Sequence, residues 1–547
     1  MNGAEFLLEC LKAEQVDTLF AYPGGSVIPL FDALYKVEYF EVYRPSHEQG
    51  GVHAADGYAR RTGKTGVAIV TSGPGVTNAV TGIATAYSDS IPLVLITGQV
   101  GTNFLYKNSF QEVDTIGIMM PITKHSRLVT NANDIGEAVA EAFYMANEGR
   151  PGPVVVDITK DAFLGLVTDS AYDHRALSKD LRQGDHQAQI KEACALIRAA
   201  KRPVIYAGGG VLRSGSSQAL RKLAIDCNIP VVNSIMGLGS FDRMHPLSLG
   251  VVGMHGQRET NLSVYEADVV VGVGVRFSDR AIGNRQGFTK SARVIHIDVD
   301  PAEFDKNLDA HVQILGDMTE ILEQMIVQLK GTRKPDQVHN PPQDSDFPPR
   351  QVLEQLQAYL PGNTTVVTDV GQHQMWSMMY WKVREPNTFI SSGGLGTMGF
   401  GLGAAIGARI GQKSAPVLLV TGDGSFRMNH LELLTASKYG IPLTIVVFNN
   451  HSLGMVRQWQ GIFNDQRYAH TDVYDPLDLE TLCRAYNVDY MGRFGSPVEL
   501  RELLAANPFA DRIRVIEYVL DNNHWVYPMV AAGSSINDIL ERSAQEL

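Results

Sequence analysis

Asp423 and Asn450 are the residues whose chemistry is easiest to read. Gly422-Asp423-Gly424-Ser425 closes an apolar, β-rich run, Val417–Thr421, and a second run, Leu443–Phe448, ends in Asn449-Asn450. A helical stretch around Leu431–Tyr439 lies between them, so the segment reads as a βαβ unit. The two strand ends of such a unit share one edge of a parallel sheet. Asp423 and Asn450, 27 positions apart, therefore meet above that edge. A carboxylate and an amide oxygen, joined by the backbone carbonyl near Ser452, are hard oxygen donors that suit Mg²⁺ with phosphate oxygens completing its shell. Gly422 and Gly424 let a diphosphate approach the backbone, and helix N-termini favour its charge.

The elements that must position these groups come in two copies. A shift of 350 positions lays Ala54-Ala55 and Gly57 on Ala404-Ala405 and Gly407, Thr71 on Thr421, and Ile91-Pro92-Leu93 on Ile441-Pro442-Leu443. One ungapped offset through several landmarks implies duplication. It places Glu48 opposite Met398 and Gly73 opposite Asp423. Further β-rich runs at Val67–Val70, Leu93–Thr97, Val154–Val156 and Val269–Val275 alternate with helical segments, the pattern of parallel α/β sheets. Residues 166–186 are polar, and residues 331–350 combine five prolines with charge; both read as linkers. The expected fold is α/β, with three doubly wound parallel-sheet domains at 1–165, 187–330 and 351–547, the first and third related by duplication.

Composition narrows the class. A chain of 547 residues exceeds one hydrophobic core. A net charge of −12 argues against broad nucleic-acid binding, which needs basic surface. No apolar run reaches the ~18–20 residues of a membrane span. Met1 to Leu11 has no basic-then-apolar signal pattern; Phe6, Leu7, Cys10 and Leu11 recur at helical spacing instead. Cys10, Cys194, Cys227 and Cys483 are scattered, as reduced thiols of a cytoplasmic protein would be, with no zinc or disulfide spacing.

Gly-Asp-Gly followed by a βαβ segment and Asn-Asn is the thiamine-diphosphate signature. Over its length the chain also resembles the catalytic subunit of the acetohydroxyacid (acetolactate) synthase family. The match is carried by Tyr22-Pro23-Gly24-Gly25, His47-Glu48-Gln49-Gly50, Thr71-Ser72-Gly73-Pro74-Gly75, Phe110-Gln111-Glu112, Arg150-Pro151-Gly152-Pro153, Gly253-Met254-His255-Gly256, Arg276 to Arg280, Gly371 to Trp376, Gly393 to Gly399 and Leu453 to Gln460. The resemblance implies pyrimidine-binding, FAD-binding-like and diphosphate/Mg²⁺-binding domains in that order. It also implies a homodimer or homotetramer with the cofactor between subunits, and leaves room for a regulatory small subunit. The family's activating acid maps to Glu48, whose carboxyl would face N1′ of the aminopyrimidine. Met398 resembles the apolar residue that props the cofactor bent. Pro23, Gly24, Gly25, Gly73, Asn78, Gln372, His373, Gly396, Gly422, Gly424, Ser425 and Met455 fall where the family holds thiamine diphosphate, and Gln111 falls near the reacting centre.

In the central domain the resemblance implies FAD at Gly208, Gly209, Gly210, Gly253, Met254, His255, Gly256, Arg276, Arg280, Asp298, Glu303 and Asp317, in a structural role. Arg276 also resembles the residue that reads the carboxylate of a second 2-oxo acid, for which an arginine fork is suited. Trp459 resembles the ring that favours a larger acceptor, and Lys160 would guide anions inward. The implied reaction is a transferase reaction: decarboxylation of pyruvate and carboligation to a second 2-oxo acid, giving 2-acetolactate or 2-aceto-2-hydroxybutyrate for branched-chain amino acid biosynthesis. Competing readings are a carboligase or decarboxylase with another acceptor, a pyruvate-oxidase-like flavoenzyme, and a non-catalytic cofactor-binding protein. Departures from the family pattern fall outside the cofactor motifs. Tyr106-Lys107-Asn108-Ser109 stands for Gly-Thr-Asp-Ala, Thr159 for proline, Gln257-Arg258 where threonine is common, and His451 for glycine.

Overall fold

The computed structural model describes residues 1–169, 172–175, 186–335, 347–473 and 477–541. The two linker segments lie largely outside the described residues. The first sheet contains β1 (Thr18–Ala21), β2 (Glu41–Tyr43), β3 (Gly66–Val70), β4 (Leu93–Gln99), β5 (His125–Val129) and β6 (Pro153–Thr159), ordered β2-β1-β3-β4-β6-β5. The second contains β7 (Pro203–Ala207), β8 (Val231–Asn233), β9 (Ser248–Val251), β10 (Val269–Val273), β11 (Arg293–Asp298) and β12 (Val312–Leu315), ordered β12-β11-β10-β7-β8-β9. The third contains β13 (Thr365–Thr368), β14 (Phe389–Ile390), β15 (Val417–Gly422), β16 (Thr444–Asn449), β17 (Asp489–Phe494) and β18 (Arg514–Val519), ordered β14-β13-β15-β16-β18-β17.

Neighbouring strands in all three sheets pair in parallel. The first and third sheets share one strand order, as duplication requires. The second has the doubly wound order of dinucleotide-binding folds. Central strands such as β3, β4, β10 and β15 are buried along their whole length. Helices on both faces cover them, and this is why they read as continuous apolar runs.

The duplicated domains also share a core. Helix Glu48–Thr62 starts where the His47 Nδ1 accepts the Gln49 N–H at 3.1 Å and ends at Gly63 in the left-handed conformation. It packs against helix Phe400–Gly411, and one buried apolar cluster runs from Phe20 and Val52 through Ala404 and Leu419 to Val515. Both helices are rich in Gly and Ala because their backbones nearly touch. Gly57 lies on the Ala404 carbonyl and Gly407 on the Ala54 carbonyl, with no space for a Cβ at either glycine.

Candidate active site

The chain turns from β15 directly into helix Asp423–Asn429, and the helix Glu432–Lys438 follows. The helical stretch between the two strands thus begins at Asp423, earlier than Leu431, because a carboxylate in a first turn meets unpaired backbone N–H groups. The N–H groups of Gly424 and Asn450 point at the Asp423 carboxylate. Burial pushes this carboxyl up to about 6, and its Oδ2 has no hydrogen-bond partner among the described residues. A half-satisfied buried carboxylate is costly unless a cation takes the free oxygen.

Asn450 is fixed beside it. Its Nδ2 donates to Gln372 Oε1 at 3.0 Å, and its Oδ1 accepts the Ser452 N–H at 3.1 Å. Gln372 opens helix Gln372–Tyr380 and donates from Nε2 to Gln458 Oε1 at 3.2 Å. His373, next in that helix, is buried; burial pushes its imidazole down to about 3, and its Nε2 has no partner among the described residues. Small residues make the cup possible. A Cβ on Gly422 would press on the His373 ring at 2.9 Å, and one on Gly454 would overlap the Gln372 amide. Met398 Cε lies 3.8 Å from the Cβ position of Gly424, so Met398 borders the same turn. Ser425 Oγ donates to the Val370 carbonyl at 2.8 Å. Gly396 is left-handed in open space, and Met455 packs at the edge of the third-sheet core. Two helix N-termini, a buried acid and two unpaired polar atoms make a cup suited to a diphosphate with its cation.

A second half-site forms at the first sheet. Pro23-Gly24-Gly25 follow β1, with Gly24 against the Thr71 side chain and Gly25 facing Gln111 Oε1. Gly73 is left-handed, and a Cβ there would meet the Gln111 backbone at 2.9 Å. Asn78 Nδ2 donates to Glu48 Oε2 at 2.9 Å. Among the described residues no hydrogen bond joins this half-site to the Asp423 cup within one chain.

A cavity of 680 Å³ runs between the three sheets. Gly208, Gly209, Gly210, Met254, His255, Arg276, Arg280, Asp298, Glu303 and Asp317 line it, together with Gly396, Met398, Met455 and Trp459. Gly253 and Gly256 stay off its wall; Gly253, left-handed, brings the turn onto the Arg280 carbonyl. Arg276 Nη1 donates to the Ser88 carbonyl at 2.7 Å, and the Arg280 guanidinium lies 5.3 Å from the Trp459 ring centre. Lys160 is exposed at the start of helix Lys160–Leu164, away from this cavity.

Three contributors were not singled out as site residues from the sequence. Arg150 lines the cavity and pairs with Glu303 at 2.6 Å. Asp369 is buried and accepts the Gly399 and Gly401 N–H groups at 2.9 and 3.2 Å, which fixes the backbone next to Met398. Asp89 is buried and reaches the Gly393-Gly394 backbone. Each contact joins residues distant in sequence; only the paired motif Arg150 to Pro153 could have drawn attention to one of them.

Comparison with known proteins agrees with this geometry. The chain matches the models of the thiamine pyrophosphate enzyme N-terminal TPP binding domain over residues 1–118, the central domain over 190–325 and the C-terminal TPP binding domain over 369–518. The fold is thus that of a three-domain thiamine pyrophosphate enzyme. It is 41% identical to a probable acetolactate synthase large subunit of Methanocaldococcus jannaschii, covering 99% of this chain and 95% of the relative. It is 40% identical to the acetolactate synthase isozyme 3 large subunit of Escherichia coli, with 98% of each chain covered. A Lactococcus lactis acetolactate synthase large subunit is 39% identical over 98% of this chain and 96% of the relative. The chain belongs to the acetolactate synthase large-subunit family.

Proposed function

We propose that the protein decarboxylates pyruvate and joins the two-carbon unit to a second 2-oxo acid, giving 2-acetolactate or 2-aceto-2-hydroxybutyrate in branched-chain amino acid synthesis. One observation carries the reading: Arg276 and Trp459, suited to a carboxylate and a short alkyl group, share a cavity wall with Met398 at the edge of the Asp423 cup. Thiamine diphosphate, when bound, supplies the electron sink for loss of CO₂. The rest falls to the chain. Asp423 and Asn450, with the Ser452 backbone, would hold Mg²⁺, and the unpaired Asp423 Oδ2 is the group that a cation would satisfy. Gln372 and His373 would meet the diphosphate. Glu48, steadied by Asn78, would hold a proton at the pyrimidine ring nitrogen.

The central part of the cavity fits FAD. Its volume lies in the range of ligand sites, Gly208 and Gly210 bring backbone to its wall, and Asp298 stands at the end of β11 where ribose hydroxyls are held in such folds. A second copy of the chain would complete the site. No hydrogen bond joins the half-sites among the described residues, and Phe104, Tyr106, Phe110 and Met120 on one side, with Met428, Leu431 and Leu434 on the other, are exposed. No helix of the described residues is long and apolar enough to cross a membrane, and a cytoplasmic location suits the four free, buried cysteines.

Incubating the purified protein with pyruvate, thiamine diphosphate, Mg²⁺ and FAD tests the reading. Acetolactate is the expected product, and added 2-oxobutyrate should divert it. Acetaldehyde would mark a simple decarboxylase, acetate with peroxide an oxidase, and no turnover a binding protein.

A further inference from the structure

The two duplicated domains hold each other's loops. Just before Glu48, the Ser46 and His47 N–H groups donate to the Glu432 carboxylate of the third-sheet domain at 3.2 and 3.0 Å. Glu432 is 1% exposed, and Thr435 Oγ1 donates to it at 2.6 Å. Ser46 Oγ donates to the Leu431 carbonyl at 2.9 Å, and the Arg44 N–H donates to the Tyr439 hydroxyl at 2.8 Å. Gly50 has no side chain because a Cβ there would overlap the Glu432 carboxylate.

The arrangement recurs with the domains exchanged. Before Met398, the Gly393 and Gly394 N–H groups donate to the Asp89 carboxylate of the first-sheet domain at 3.2 and 2.7 Å. The Thr85 and Thr397 hydroxyls share a hydrogen bond of 2.7 Å. Arg60 Nη2 donates to Asp89 Oδ2 at 2.8 Å, so the buried carboxylate is held from both domains. Thr85 and Thr435 are related by the 350-residue offset, as are Asp89 and Tyr439, and as are the held residues Arg44 and Gly394. The same places on the two helices therefore do the holding, with the carboxylate at a different position in each copy.

We infer that Glu432 and Asp89 are reciprocal positioning residues: each fixes, across the domain boundary, the segment that presents the other domain's cofactor-facing residue, Glu48 or Met398. The inference rests on the assignment of those two residues in the proposed function. A carboxylate can accept two adjacent backbone N–H groups at once, so each clasp sets both the position and the tilt of its segment. A hydroxyl or a packed methyl would set neither.

The test uses the thiamine-diphosphate- and Mg²⁺-loaded enzyme carrying Glu432→Ala, Glu432→Gln or Asp89→Asn, with Glu48→Gln as reference. In Glu432→Ala, amide hydrogen exchange of residues 44–50 should rise about tenfold or more while the 404–411 helix keeps its protection. The kcat should fall on the order of 10²-fold with KM for pyruvate within about twofold of the parent. Glu432→Gln keeps one carbonyl acceptor and should lie between. Asp89→Asn should show the same local exchange at residues 392–397. Unchanged exchange in the held segments, exchange rising evenly along the whole domain contact, or full kcat despite local exchange would overturn the inference. Full turnover in Glu48→Gln would instead remove the Glu48 assignment, and the exchange results would be unaffected by it.

Discussion

Gly407 rests on the carbonyl oxygen of Ala54 so closely that no Cβ fits between them, and Gly57 stands in the same relation to Ala404. The two contacts are images of each other under the sequence repeat: the duplicated helices meet as a self-complementary pair inside one chain. The central contact between the domains is therefore backbone against backbone.

Gly407→Ala should consequently destabilise the protein by about 3 kcal/mol, at the upper end for overpacking, since backbone rather than a flexible side chain must yield. Urea unfolding measures it. Combining Gly407→Ala with Gly57→Ala should cost less than the sum, because the first change already separates the helices.

Arg60 is buried, donates to Asp56 at 2.5 Å and Asp89 at 2.8 Å, and reaches the Ser391 carbonyl at 2.9 Å. Burial works against its charge, but the two aspartates outweigh it and hold the guanidinium protonated. Arg60→Met should cost about 3–5 kcal/mol, the penalty for leaving buried carboxylates unpaired. Arg60→Met with Asp56→Asn should recover part of that loss in thermal unfolding.

Asp157 should give a stability term that depends on pH. Burial pushes its carboxyl up to about 6, against hydrogen bonds from Thr97 at 2.5 Å and Gln99 at 3.0 Å. Because the folded-state value exceeds the ordinary carboxylate value of about 4, the favourable contribution is complete below pH ~4 and is lost as pH rises through ~6. Asp157→Asn should remove this slope and make the protein more stable than its parent at pH 7–8 by up to about 3 kcal/mol. Denaturant midpoints across pH 4–8 check both signs.

Tyr106 occupies a left-handed backbone conformation, φ 62°, where the family pattern has glycine. The bulky residue carries a steric cost of about 1–2 kcal/mol there, partly offset in the unfolded chain by its lower freedom. Tyr106→Gly should raise stability by about 0.5–1 kcal/mol, seen as a higher melting temperature. His451, also where glycine is frequent, has φ 52° and the same kind of strain.

The sequence by itself determined six of the buried strands, the duplication and the Asp423–Asn450 pair. These depend on short apolar runs, one constant offset and the rule that strands of a βαβ unit end on the same sheet edge. The FAD-like residues were legible as motifs, and the fold gathers most of them on one cavity wall. Tertiary structure alone decided which residues hold the motifs in place. Asp89, Asp369 and Glu432 look like ordinary acids in sequence, because the loops they hold lie 30 to 386 positions away. It also decided that the glycines of the repeat serve helix contact. The physical reason is that local patterns set which face of an element is apolar, whereas the meeting of two backbones depends on how whole domains pack.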